Sequence, residues 1–255
     1  MGISVTGLSI TPVKSTRLHE VDKIELARSG VHDNRRFYIV DGRRHLMNGK
    51  RLGELNAIVA EYDEPRLKLT FPDGTTVEDD VRLGEEVETK FFSVTDSGRL
   101  LDGSFSQALT DYANRPLELV AARASAIDRG SMGVASLISR ASLARLAQEN
   151  GDHNIDWRRF RMLIEIDGVG AHEEDTWLGR ATRIGGAVVT WGGNVGRCLT
   201  TSRDPETGEV DLPTLDMLRS YRGTVDSTEP LPFGVYGEVL VEGEIRVGDQ
   251  VELLD

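Results

Sequence analysis

Cysteine is almost missing from this chain: Cys198 is the only one in 255 residues. An internal disulfide, a zinc site built on several cysteines and an iron–sulfur cluster are therefore all excluded, because each needs more than one thiol. Long apolar runs are missing too. No stretch approaches the roughly 20 residues that span a bilayer, and the opening Met1-Gly2-Ile3-Ser4-Val5-Thr6-Gly7 lacks the basic head and long apolar core of a secretory signal. Positive charge is in the minority, with 30 Lys and Arg against 42 Asp and Glu for a net charge of −12. With no basic run interleaved with aromatics to offset it, that balance argues against a nucleic-acid partner. Several catalytic motifs are absent as well. Gly192 to Gly196 lacks the lysine and hydroxyl of a phosphate loop, and no Gly-x-Ser-x-Gly elbow occurs. His172-Glu173-Glu174-Asp175 has the wrong order for a zinc-protease helix and reads as a solvated loop. The expectation is a cytoplasmic protein, for which one unpaired thiol suits the reducing compartment.

What is present is an ordinary globular composition, 39% hydrophobic and 28% charged, arranged mostly in strand-like pieces. Ile3-Ser4-Val5-Thr6-Gly7-Leu8-Ser9-Ile10 alternates as a half-buried strand that stops at Pro12, and further strands read from Val21 to Leu26 and along Phe37-Tyr38-Ile39-Val40. Asp41-Gly42 and Asp73-Gly74 mark hairpin turns. Arg161 to Ile166 alternates poorly, as a central strand does, and Val239-Leu240-Val241 with Ile245-Arg246-Val247 predicts a terminal hairpin around Glu242-Gly243. Three helices are predicted: Ser104 to Tyr112, Ser139 to Leu146 with an end near Gly151, and Pro213 to Tyr221 with Gly223 beyond it. Many short strands joined by glycine turns, with few helices and no regular strand–helix alternation, predict a predominantly β, α+β fold of barrel type. The shift in composition near Leu101 places a domain boundary about ten residues earlier, giving 1–90 and 91–255.

Two features point to chemistry. Cys198 follows the strand-like Ala187-Val188-Val189-Thr190-Trp191 and a glycine-rich turn, and Arg197 stands beside it. Exposed turn amides and a fixed positive charge favour a thiolate, yet a lone cysteine also serves as a small buried hydrophobe, and the residues alone leave both readings open. Basic residues gather at the turns of the first domain: Lys14, Arg35, Arg36, Arg43, Arg44, Lys50 and Arg51. In an acidic chain this clustering fits an anion site, and it fits solvated loop tips equally well.

Arg197-Cys198-Leu199-Thr200-Thr201-Ser202-Arg203-Asp204-Pro205-Glu206-Thr207-Gly208 resembles the cysteine segment of the MOSC family, and in particular of its amidoxime-reducing members. The resemblance extends through Arg159-Phe160-Arg161, Glu174-Asp175-Thr176-Trp177, Leu218-Arg219-Ser220-Tyr221-Arg222, Pro232-Phe233-Gly234-Val235-Tyr236 and Ile245 to Val251, in the family's order. Pro12-Val13-Lys14-Ser15 and Arg36-Phe37-Tyr38 resemble its N-terminal β-barrel domain. The resemblance implies a MOSC N-terminal barrel-like domain followed by a MOSC domain, and a molybdenum cofactor with Cys198 as thiolate ligand. It places Lys14, Ser15, Arg36, Arg161, Arg197 and Tyr236 around the pterin and its phosphate. Lysine and arginine suit a phosphate, while the hydroxyls of serine and tyrosine complete such contacts. Leu163 and Gly196 depart from the pattern, standing where the amidoxime reductases have asparagine and serine. The implied activity is reduction of N-hydroxylated small molecules to amines, with electrons from a separate carrier, since one cysteine cannot ligate a cluster. The alternative is a sulfur-carrier or cofactor-handling protein that uses Cys198 as a persulfide or docking thiol.

Overall fold

Ile3–Ile10 forms the strand its alternation predicts, and it joins the two ends of the chain. It pairs antiparallel with Ile164–Asp167, Ser4 opposite Asp167 and Leu8 opposite Ile164, and on its other edge with Gln250–Leu253. In the computed structural model, which describes residues 2–91, 94–123, 130–151 and 153–254, this strand belongs to an eight-stranded sheet. Its order is Ile164–Asp167, Ala135–Ser139, Val235–Val241, Ala187–Asn194, Ala181–Ile184, Gln250–Leu253, Ile3–Ile10 and His19–Glu20. Because Ile164–Asp167 also reaches Ile3–Ile10, the sheet is strongly curved around its own side chains. Val5, Leu8, Ile166, Trp177, Val189 and Trp191 fill that interior. Trp191 is fully buried and donates its indole N–H to Thr182 Oγ1 at 3.0 Å, so its polar edge is satisfied.

The helices fall where they are predicted: α1 is Phe105–Ala113, α2 Arg140–Gln148 and α3 Thr214–Arg222. Ser139 caps α2 by accepting the Ser142 amide at 3.1 Å. Ser104 sits at the start of α1 but makes no capping bond with its side chain. Ala135–Ser139 and Ile164–Asp167 are parallel neighbours. Parallel strands need a crossover, and α2 with the 3-10 turn Trp157–Phe160 supplies it. A separate core lies here, formed by Leu143, Leu146, Trp157, Phe160, Met217 and Phe233.

A five-stranded sheet has the order Arg82–Phe91, Val94–Asp102, Leu117–Ala122, Phe37–Asp41 and Leu46–Met47. Successive side chains of a strand face opposite ways, and here both faces are covered: Phe37 and Ile39 pack with α1, while Tyr38 and Val40 pack with Val87 and Phe91. The Asp41-Gly42 and Asp73-Gly74 turns connect paired strands as predicted. The terminal hairpin does not form. Val235–Val241 pairs with Ala187–Asn194, whereas Gly243–Arg246 pairs with Lys23–Ala27. Gly243 packs directly on the Gly186 backbone, a closeness that no side chain would permit, and this contact carries the chain from one sheet to the other.

Candidate functional site

The strand Ala187–Asn194 changes register between Trp191 and Gly193, and the Tyr236 ring lies over the glycines there. A Cβ on Gly193 would come within 2.7 Å of the Tyr236 hydroxyl oxygen. Glycine at this position is thus what admits the tyrosine. Beyond Asn194 the chain runs along the segment 230–234: the Val195 amide donates to Gly234 O at 2.9 Å, Phe233 N to Val195 O at 3.0 Å, and Arg197 N to Pro230 O at 3.1 Å. Arg197 turns inward. It is 8% exposed, its Nε donates to Phe233 O at 2.8 Å and its Nη1 to Phe160 O at 2.9 Å. Cys198 turns outward and is exposed, with Sγ 3.5 Å from Thr200 Oγ1 at the start of the 3-10 turn Leu199–Ser202. Of the two readings the residues left open, the buried hydrophobe is not what the fold contains.

The turn after Ile10 is the second wall. Thr16 Oγ1 donates to Val13 O at 2.7 Å and lies 2.7 Å from Thr11 Oγ1, while Lys14 N donates to Phe37 O at 2.7 Å. Lys14 is half-buried, and Ser15 is buried with φ of 79°. Arg161 has φ of 54° and donates from Nη2 to Thr16 O at 2.8 Å; Arg35 has φ of 56° and donates from Nη2 to Arg161 O at 3.0 Å. Three non-glycine residues in the left-handed region thus belong to one bonded group. Such conformations cost about 1–3 kcal/mol each and collect where a structure holds a ligand.

Arg159-Phe160-Arg161 links the two walls. Arg159 grips Asp211 with both terminal nitrogens at 2.6 Å and Arg203 O at 2.8 Å; Phe160 O accepts from Arg197; Arg161 donates to Thr16 O beside Lys14. The segment after Cys198 is closed by the Asp204 carboxylate, which accepts the Thr207 and Glu206 amides at 2.7 and 2.9 Å. Burial alone would raise the pKa of Asp204, but those amides and the Arg159 charge outweigh it and hold the carboxyl below its usual range. Gly208, at φ 78°, packs on Gly53 with no room for a side chain, so this segment rests on the first half of the chain.

Arg36 is placed apart from this group. Its side chain lines a cavity of about 350 Å³ with Tyr62, Glu64, Arg99 and Arg123. The neighbouring Arg35, which the sequence offers only as one of several basic residues, is the arginine bonded to Arg161. Leu163 packs inside the eight-stranded sheet. Above Gly196 lies Glu229: a Cβ there would be 2.5 Å from the Glu229 Oε2 atom and 3.1 Å from Pro230 Cδ.

The run His172 to Asp175 is not a solvated loop. Glu174 is fully buried, with Ser142 Oγ at 2.7 Å and Ser139 Oγ at 2.9 Å donating to it, and burial raises its affinity for a proton. His172 lies between the Tyr221 and Phe233 rings with neither ring nitrogen bonded; burial first, then the Arg222 and Arg145 charges, push it down to about 4. Asp175 forms an ion pair with Arg222 at 2.6 Å. Beyond the charged residues themselves nothing nearby in the chain signals these contacts, because the partners come from the start of α2, from α3 and from Phe233.

Comparison with known families and proteins now adds what geometry alone does not. Residues 2–116 match the MOSC N-terminal beta barrel domain and residues 126–252 match the MOSC domain. The chain belongs to the MOSC family. Over 282 residues it is 28% identical to the mitochondrial amidoxime reducing component 2 of Bos taurus, covering 97% of this chain and 82% of that protein. It is 25% identical over 274 residues to the mitochondrial amidoxime-reducing component 1 of Danio rerio, covering 97% and 83%. Among solved structures, the YuaD protein from Bacillus subtilis aligns over 99% of this chain and 96% of that one, with a TM-score of 0.47 and 12% identity. Among the described residues no helix is long and apolar enough to cross a membrane.

Proposed function

We propose that this chain is a molybdenum-cofactor-dependent oxidoreductase that reduces N-hydroxylated compounds, such as hydroxylamines, amidoximes and N-hydroxylated bases, to amines. The observation that carries the reading is the exposed Cys198 thiol, mounted next to a buried arginine that is bonded to the same turn as Arg161 and the Lys14–Ser15 loop. Similarity to amidoxime reducing components over 97% of the chain supports it. The donor set fits a metal that arrives with most of its ligands. Among the described residues no three His, Cys, Asp or Glu gather, and Cys198 offers one soft thiolate.

In this reading residues 1–90 bring Lys14 and Ser15, with Arg35 in the role the resemblance gives to Arg36, and residues 91–255 bring Cys198, Arg161, Arg197 and Tyr236. Lys14 and Arg161 neutralise the cofactor phosphate, with Arg35 beside them, and the Ser15 hydroxyl donates to it. Arg197 acts through the backbone, holding Phe160 and Phe233 in place with its guanidinium. Tyr236 lines the glycine turn ahead of Cys198. The bound cofactor supplies two-electron chemistry at the N–O bond, while the chain fixes its position and electrostatics. Electrons come from a separate protein, since one cysteine leaves no ligands for a cluster.

The test is molybdenum content per chain together with benzamidoxime reduction driven by reduced viologen, in native protein and in Cys198→Ser. Serine keeps the size but replaces a soft ligand with a hydroxyl. The variant is expected to retain pterin and to lose activity by orders of magnitude. Full activity in Cys198→Ser would remove the ligand role. An inactive but fully loaded native protein carrying stoichiometric persulfide on Cys198 would make it a sulfur carrier.

A further inference from the structure

Glu174-Asp175-Thr176-Trp177 and Leu218 to Arg222 take no part in the chemistry above, yet their charged ends meet beneath the Cys198 segment. Arg222 is 4% exposed. Its Nε donates to Pro232 O at 2.7 Å and its Nη2 to Asp175 Oδ2 at 2.6 Å. The other carboxylate oxygen, Oδ1, accepts Asn194 Nδ2 at 2.8 Å. Asn194 ends the strand that leads to Cys198, and Pro232 lies in the segment on which Val195 and Arg197 are hydrogen-bonded. One carboxylate therefore ties the strip that carries the thiol, through Asn194, to the strip packed against it, through Arg222.

Stability alone is a poor account of this arrangement. Taking two charges out of water costs several kcal/mol per ion, and well-packed apolar residues often do as well or better. What an ion pair with two further directed bonds provides, and apolar packing does not, is a fixed register between the strips. We propose that Asp175 and Arg222 are positioning residues for Cys198, locking the segment 194–198 against 230–234 so that the thiol is presented at one place. The catalytic consequence rests on the reading of Cys198 as a metal ligand; the locking is a property of the chain itself.

Asp175→Asn leaves one oxygen and turns an N–H toward a donor, and Arg222→Lys keeps the charge but cannot reach both Pro232 and Asp175. Hydrogen–deuterium exchange on cofactor-free protein reads the lock directly. The amides of Val195, Arg197 and Phe233 are expected to exchange at least tenfold faster in either variant, those of α1 to stay within twofold, and the double variant to be no faster than the faster single one. Asn194→Ala, which leaves the ion pair intact, is the milder probe if the charged variants do not fold, and is expected to speed exchange at Val195. In cofactor-loaded protein, kcat per bound molybdenum is expected to fall at least fivefold in Asp175→Asn. Unchanged exchange at the three amides, an equal rise in α1, or effects that multiply in the double variant would each overturn the proposal. Should native protein prove inactive while local exchange behaves as expected, the lock stands and the reductase reading falls.

Discussion

Arg35 and Arg36 are neighbours whose side chains go to different places, one to the Arg161 carbonyl and one to the cavity beside Tyr62. A left-handed residue at Arg35 (φ 56°) breaks the alternation by which a strand reading assigns sides, so the resemblance that implies Arg36 is not corrected by any local pattern. Losing one charge-assisted contact costs about 1.5–3 kcal/mol, roughly ten- to hundredfold in affinity. Arg35→Gln is therefore expected to lose more molybdopterin than Arg36→Gln after gel filtration, and the reverse order would show that Arg36 turns toward the cofactor. Cys198 stands out in the sequence as a solitary thiol and Lys14 as a basic residue at a turn, whereas Ser15 and Arg161 come only from the resemblance to the MOSC family. Glu229 was not legible, because nothing along the chain says that its carboxylate lies over Gly196. That contact makes the glycine conditional. Gly196→Ser, which restores the residue the amidoxime reductases carry, should destabilise the protein by about 1–3 kcal/mol through overpacking, and Glu229→Ala should recover at least half of the lost melting temperature. Equal melting temperatures for native protein and Gly196→Ser would show that Glu229 moves aside freely.

At the scale of elements, the three helices were readable from apolar spacing and punctuating residues, and the strand Ile3–Ile10 from the alternation of Ile3 with Val5 and of Leu8 with Ile10, on either side of a register shift after Val5. Pairing was not. Local pattern says that Val239–Val241 and Ile245–Val247 are extended, but only the competing partners Ala187–Asn194 and Lys23–Ala27 decide that they never meet. The 3-10 turn Glu173–Trp177 was misread for a related reason: its polar residues are covered by α3 and by the cap of α2, which a window around them does not contain. Burial there has a pH signature. His172 is held neutral, at about 4 against 6.5 for the free side chain, so the unfolded chain takes up a proton that the folded one refuses. The stability this provides is complete above pH 6.5 and is lost as the pH falls toward 4. Glu174 acts in the opposite sense, its raised value favouring the fold in acid, so the comparison must be a difference. His172→Asn, which suits the left-handed backbone at φ 60°, is expected to flatten the fall in melting temperature between pH 6.5 and 4, and a parallel curve for the two proteins would count against a buried neutral imidazole.

On the scale of the whole molecule, the first thirty or so residues are woven into sheets completed by the second half of the chain: Ile3–Ile10 pairs with Ile164–Asp167 and Gln250–Leu253, and Lys23–Ala27 with Gly243–Arg246. Strands on both sides of residue 90 also share the five-stranded sheet. A fragment beginning at residue 117 would keep Cys198 but lose Ile3–Ile10, Lys23–Ala27, both partners of Leu117–Ala122, and the Lys14 turn. It is expected to show no cooperative thermal transition, where the full chain shows one, and to regain a transition when a peptide of residues 2–31 is added. A well-folded fragment without the peptide would contradict this. The same weave sets a timetable during synthesis. Residues near the start leave the ribosome first, yet Ile3 must wait for Val251, which at about 5–20 residues per second means roughly 10–50 s. Through that interval an apolar strand keeps the edge that will face Gln250–Leu253 unpaired, the kind of nascent segment that invites association with neighbouring chains. The N-terminal strand is thus the part of this protein for which a chaperone has the longest opportunity to act.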